Sequence, residues 1–254
     1  MNLNGVMSIH IPEGEVSMVA INGSVVWQKQ ATPEYEKYSW EGVLASIEAG
    51  TYATDYAIGD TVPLDLGSEG VINMQIAAFD TDVLADGSGK APITWIAKEL
   101  LATTHRMNPA LVTNADGTYQ EGTGTIGGWE KCEMRTYLKE TIKPLIPENV
   151  RNAIKEVTKT HNAYNTAGTQ FTQTTAEDVW LPSSLELYSS SGLYKALFPN
   201  QESRIKSLVG STKSIRWWSR YVYTRNENTC IYTTGATGQG SVIEADGACL
   251  CFCT

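Results

Sequence analysis

An α+β domain preceded by a short β-hairpin module is the fold class this sequence predicts. Three observations lead there. Charged residues make up only 19% of the 254 while hydrophobic residues reach 42%, and with Gly, Thr, Ser, Asn and Tyr abundant that balance favours strands and long loops over helical bundles. Most apolar runs are short and bounded by Gly, Pro, Asn or Asp. A few stretches change to helical spacing. The length allows one sizeable core, or one domain with a small appendage.

The elements follow in chain order. Val6–Ile11 reads as a strand, Pro12-Glu13-Gly14 as a turn, and Val16–Ile21 as a second strand. Asn22-Gly23 is a hairpin signal before Val25-Val26-Trp27. Residues 1–30 therefore form a small β module for attachment or oligomerisation, 31–39 a linker, and 40–254 the main domain. Residues 37–80 alternate short apolar runs with turn residues, with strands expected at Tyr56–Asp60 and Val71–Phe79. Asp86-Gly-Ser-Gly89 reads as a turn without the spacing of a calcium-binding loop. Helices are expected at Trp95–Thr103, at Glu130–Ile142 (with Met134, Tyr137, Leu138 and Ile142 on one face and Pro144 ending it), and at Pro147–Val157.

Asn108–Trp129 is Gly/Thr/Asn-rich and matches neither phosphate-binding fingerprint, so it reads as a loop. Residues 158–178 read as a polar loop, Asp178–Ser184 as a strand and turn, Leu185–Tyr188 as a short helix and 199–213 as a loop. The last segment is a run of short strands: Ile215–Thr224, Cys230–Thr234, Ser241–Glu244, and a closing apolar strand.

Charge and cysteine usage exclude several classes. The formal net charge of −9 repels phosphate backbones, so nucleic acid is not an expected partner. No apolar run is long enough to span a bilayer, so no membrane insertion is expected, and no signal peptide is visible at the N-terminus. The five cysteines, Cys132, Cys230, Cys249, Cys251 and Cys253, do not form a disulfide framework. The last three alternate, so on a strand their sulfurs share one face and Ala248, Leu250 and Phe252 the other. Both faces are apolar, as in a buried central strand; a zinc site would need a second ligand pair. No metal or other cofactor is expected.

The order of Tyr56-Ala-Ile-Gly-Asp60, His105-Arg-Met-Asn-Pro109, Gly127-Gly-Trp-Glu-Lys-Cys-Glu-Met-Arg-Thr-Tyr-Leu138, Leu145-Ile-Pro147, Asp178-Val-Trp-Leu-Pro-Ser183, Trp217-Trp-Ser-Arg220 and Gly247-Ala-Cys-Leu-Cys-Phe-Cys253 resembles a family of gut bacteria and their phages. Its members are predicted to share the C-type-lectin fold of the variable proteins of diversity-generating retroelements and of related phage tail proteins. The resemblance covers about residues 50–254, and the N-terminal hairpin resembles short modules of phage tail proteins. It implies a C-type-lectin-like domain with a small antiparallel sheet, two main helices and long loops. It further implies a ligand- or receptor-binding display protein, on a phage tail or a bacterial cell surface, with a variable C-terminal face that binds a host cell-surface protein or glycan. The family's usual ending, Gly-Val-Arg-Pro-Ala-Phe-Cys, is replaced here, and no role is carried over for its Arg.

The residues of that C-terminal stretch suit recognition in their own right. Arg216, Trp217, Arg220, Tyr221, Tyr223, Arg225, Asn226, Asn228 and Tyr232 are the expected ligand-binding set, because aromatics contribute large contact area at small entropy cost and Arg and Asn give directional hydrogen bonds. Alternation along a strand assigns Trp218 to the core and leaves Trp217 facing out. Between Ser219 and Asp246 there is no Lys, Met or Trp, and only Glu227, Gln239 and Glu244 fall outside the set that the adenine-mutating systems of the resembling family reach. Catalysis is not expected. His10, His105 and His161 are scattered, no nucleophile elbow appears, and Asp80 and Asp82 read as loop acids. A structural tail subunit and a carbohydrate-acting enzyme are the alternatives.

Overall fold

The computed structural model describes residues 18–21, 24–28, 35–108, 124–188 and 192–254. The expected strand at Val6–Ile11, the turn after it, and most of the expected loop Asn108–Trp129 lie outside the described residues. Contacts divide the chain into Met1–Tyr35 and Glu36–Thr254, a boundary inside the stretch 31–39. In the first unit, β1 (Met18–Ile21) and β2 (Ser24–Gln28) pair antiparallel on either side of Asn22-Gly23, with Val19 opposite Trp27.

The second unit is α+β, with small antiparallel sheets and short helices. It opens with α1 (Trp40–Ala49), a helix inside a stretch expected to hold only strands and turns. Its signals are local. The Ser39 hydroxyl caps the Gly42 N–H at 3.1 Å, and Gly50 closes it in the left-handed region at φ 71°. Trp40, Val43 and Ile47 turn inward, and the Trp40 ring lies 4.9 Å from Trp95 and 5.8 Å from Phe252. Tyr56–Asp60 is a turn rather than the expected strand. Asp60 N–H bonds back to the Ala57 carbonyl, and pairing begins at β3 (Thr61–Asp65).

The largest sheet runs β11–β5–β4–β3, with β4 (Val71–Phe79) and β5 (Ile93–Ala97) at its centre. β5 replaces the first third of the expected helix Trp95–Thr103, and no helix follows it there. Its five residues are buried between β4 and β11 (Cys251–Cys253). A short β-branched and aromatic run with no polar face fits a central strand better than a helix. The closing strand is buried but is not the central strand expected. It ends the sheet order, and its open edge is covered by reciprocal bonds between Trp180 and Cys251 and by Lys155 N–H to the Cys253 carbonyl.

The expected helix Glu130–Ile142 is broken. α3 (Gly128–Lys131) ends at Cys132 in extended conformation, α4 (Glu133–Tyr137) restarts, and a wider π turn, Leu138–Ile142, runs into a tight turn at Lys143–Leu145. Met134, Leu138 and Ile142 are all fully buried. Residues four apart advance ~40° beyond one α-helical turn, a drift the wider turn takes back. Gly128 presses on the following strand, since a methyl there would fall 2.7 Å from Ala163 Cβ and from the Asn162 carbonyl. α5 (Glu148–Ala153) occupies the first part of the helix expected at Pro147–Val157, whose last residue begins the next strand.

The polar stretch 158–178 is not a loop. β6 (Val157–Tyr164) and β7 (Gln170–Glu177) form an unbroken antiparallel hairpin turning through Gly168 at φ 80°. Asp178–Ser183, expected as a strand and turn, runs beside the edge of β11 with a single bridge at Trp180, α6 (Ser184–Tyr188) follows, and β8 (Trp217–Val222), β9 (Glu227–Ile231) and β10 (Thr237–Ser241) make a three-stranded sheet in the order β10–β9–β8.

Candidate functional site

The residues expected to bind ligand fall into two groups. Trp217, Arg220 and Asn228 are interior and correct the expectation of an exposed set. Alternation fails at the Trp pair because β8 is covered on both faces. Trp218 donates to the His105 carbonyl at 2.8 Å, and Trp217 to the Arg204 carbonyl at 3.0 Å with Lys206 over its ring. Asn228 donates to the Ser219 carbonyl at 3.3 Å.

The others are at least partly accessible but do not share one face. Arg216 is held by Asp246 at 2.7 Å and by Glu244. Arg225 lies over the β6–β7 turn, where a methyl on Gly168 would fall 3.0 Å from its guanidinium carbon. Asn226 sits in the β8–β9 connection, its carbonyl accepting from Val242 N–H. Tyr232 lays its ring over Gly238 of β10. Tyr223 is 49% exposed. Tyr221 turns the other way, into a cavity walled by the β6–β7 hairpin and α6.

That cavity is half of a continuous groove. Its first cup, about 290 Å³, is lined by His161, Asn162, Gln170, Phe171, Thr172 and Tyr221 together with Thr160 and Leu185. Thr160 and Leu185 also line a second cup of about 350 Å³, which reaches Val83, Leu193 and four charged side chains. Leu185 is 58% exposed, and Val83, Leu193 and Phe171 are exposed as well. Four large apolar side chains standing in solvent around adjoining cavities form the kind of patch that a folded chain retains for contact.

The floor of the second cup is an interior ionic network. Arg220 on β8 grips Glu186 with two bonds, Nη2 to Oε1 at 2.6 Å and Nη1 to Oε2 at 2.7 Å, and gives a third to the Leu181 carbonyl at 2.8 Å. Lys159 on β6 donates to Asp82, to the Tyr194 hydroxyl at 2.6 Å, and more distantly to Glu186 at 3.4 Å. Tyr194 in turn donates to Asp82 at 3.0 Å, and the Thr94 hydroxyl also donates to Asp82, at 2.5 Å. The Lys159 ammonium sits 4.3 Å from the Trp180 ring centre, a further cation contact. Two cations and two anions thus cancel within the core.

Burial alone would raise the Glu186 carboxyl. The Arg220 and Lys159 charges, with bonds from Arg220 and the Ser183 N–H, outweigh burial and bring it down to about 2. Burial, then the Glu186 and Asp82 charges, push the Tyr194 hydroxyl well above its ordinary value, so it stays a donor. Burial, then the Arg220 charge, lower His161 to about 4, so the ring is neutral. Gln173 donates to its Nε2 at 2.9 Å, which assigns the proton to Nδ1. A glycosidase acid needs a carboxyl raised toward neutrality; Glu186 is driven the opposite way.

Much of this was hidden in the sequence. Asp82 and Lys159 come from segments read as loops, and nothing local marks them as partners. Glu186 did leave a signal. Ser183-Ser184-Leu185-Glu186 is a capping box, with the Glu186 carboxylate accepting from Ser183 N–H at 2.7 Å and the Ser183 hydroxyl from Leu185 N–H at 3.3 Å.

Among the described residues no three His, Cys, Asp or Glu side chains converge as metal ligands, and no helix is long and apolar enough to cross a membrane. Residues 97–253 match a family described as "Domain of unknown function (DUF6273)", and the chain belongs to that family. The matched region begins at the last residue of β5 and so takes in β6, β7, α6 and β8, while Val83 and Asp82 lie before it. No curated protein and no solved structure matches the chain.

Proposed function

We propose that this protein is a recognition module that binds a ligand in the groove between the β6–β7 hairpin, α6 and Tyr221, and that it performs no catalysis. The observation that carries the reading is the gathering of Val83, Phe171, Leu185 and Leu193, all exposed, around two adjoining cavities. The polar groups beneath them are committed to one another, which suits a rigid receptor for a ligand better than a reactive centre. Tyr223 and Arg225, on the connection that follows Tyr221, extend the accessible surface beyond the groove.

The sequence resemblance adds a setting to this reading: a C-type-lectin-like domain displayed on a phage tail or a bacterial surface, engaging a host cell-surface protein or glycan. Oligomerisation through the N-terminal hairpin belongs to the same proposal. The test pairs melting curves with binding of labelled protein to gut bacterial cells. The triple variant Phe171→Ala, Leu185→Ala, Tyr221→Ala should stay folded and lose only a few degrees of melting temperature, because Phe171 and Leu185 are exposed, where changes usually cost about 0.5 kcal/mol or less each, and Tyr221 is half-buried. Its cell binding should fall by about tenfold or more. Unchanged binding by the folded variant would refute the groove as the ligand site.

A further inference from the structure

Resting on that reading, we infer that the ligand class of the groove is an uncharged saccharide, held with the C–H face of a sugar ring against Phe171, Tyr221 and Leu185.

Charge decides the first part. Arg220 and Lys159 are the cations lining the second cup, and both are spent on Glu186 and Asp82. An anionic ligand would have to displace a bidentate carboxylate from a guanidinium with 1% exposure, and a cationic ligand would have to strip Asp82 or Glu186 of theirs. Each exchange strands a buried charge without its partner, which is strongly unfavourable. The first cup carries no charged side chain, because His161 is neutral.

Surface chemistry decides the second part. The walls combine two aromatic rings and an isobutyl group with short polar side chains. The Gln170 amide, the Thr172 hydroxyl and the Tyr221 hydroxyl make no hydrogen bond among the described residues. A pyranose presents the complementary pattern, an apolar C–H face edged by hydroxyls that both donate and accept. Each cup is at or near the lower limit of the ~300–1,000 Å³ typical of ligand cavities, and the two join along Thr160 and Leu185. That suits two successive rings of a chain better than one large apolar side chain. An extended peptide would have to pair with β6 on the side away from β7, where both ends of that edge are already taken, Thr158 N–H by the Val83 carbonyl and the Tyr164 carbonyl by Gly127 N–H.

The experiment is saturation-transfer NMR on the full chain with lactose, cellobiose, maltose and N,N′-diacetylchitobiose as neutral probes and 3′-sialyllactose as the charged one. The same measurement is made on the Phe171→Ala, Tyr221→Ala double variant, with cell binding in parallel. Transfer from at least one neutral disaccharide, weakened about tenfold or more in a double variant that stays folded, is the expected result. Transfer from sialyllactose alone overturns the uncharged class. No transfer from any sugar, while cell binding still depends on Phe171 and Tyr221, overturns the saccharide and leaves the recognition reading standing with a protein ligand. Cell binding indifferent to both residues removes that reading and this inference together.

Discussion

Replacing Arg220 by Met is the sharpest perturbation of the interior network. The change keeps most of the aliphatic volume and removes the fork that holds Glu186 by bonds of 2.6 and 2.7 Å. Glu186 would be left 7% exposed, with Lys159 at 3.4 Å and one backbone N–H. Breaking a buried pair from one side costs about 3–5 kcal/mol. A second route gives a similar figure. Glu186 is lowered from 4.5 to about 2, and at about 1.4 kcal/mol per unit its ionised form contributes roughly 3 kcal/mol, of which Arg220 is the largest charged source. Because the folded value is depressed, this contribution is complete above the unfolded value of 4.5 and is lost as pH falls from there toward about 2. Urea unfolding at neutral pH, followed by tryptophan fluorescence, should show Arg220→Met destabilised by about 3–5 kcal/mol, or about 6–20 °C in melting temperature. The share of the acid-side decline below pH 4.5 that Glu186 supplies should be absent from the variant, while the shares of Asp55, Asp86 and Asp178, also lowered, remain. Adding Glu186→Gln to Arg220→Met should recover about 1–3 kcal/mol, since no carboxylate is then stranded. An Arg220→Met protein within about 1 kcal/mol of the parent, or one with the parent's full acid sensitivity, would refute the reasoning.

Three further outcomes are expected. All five cysteines are buried, and burial pushes Cys132 and Cys230 up to about 12, so iodoacetamide should modify none in the native protein and all after unfolding in urea; rapid native labelling of any would contradict the packing. The His161 ring should show no NMR titration between about pH 8 and pH 5. Since its folded value is lowered from 6.5 to about 4, it should remove stability as pH falls through that window, and His161→Asn should flatten that slope. Truncation after Gly247 removes Ala248–Thr254, every residue of which is buried, together with the pairing of β11 to β5; the loss should exceed the ~5–15 kcal/mol that holds a typical domain, so a soluble truncated chain with a cooperative melt would sink the prediction.

What the sequence by itself determined is what depends on neighbours along the chain. The alternation of Cys249, Cys251 and Cys253 with Ala248, Leu250 and Phe252 assigned a buried strand, because a pleat puts successive side chains on opposite faces and both sets are apolar. The strand β4, the short helix α6 and the hairpin across Asn22-Gly23 were legible for similar local reasons. The helix α1 carries local signals too, in Ser39, Gly50 and the spacing of Trp40, Val43 and Ile47, set among flanks rich in turn residues. Tertiary structure decided the rest. β6 and β7 are polar on both faces by composition, and only the pairing of Thr158–Asn162 with Thr172–Ala176 makes them strands. Trp95 belongs to a strand because β4 and β11 flank it. The groove is of the same kind. That Tyr221 lines a cavity while Arg220 beside it is an interior counter-ion depends on Glu186, Lys159 and Asp82. Those three arrive from segments between 34 and 138 residues away in the chain, and the attraction of charges across a core of low polarity follows distance in space and not separation along the chain.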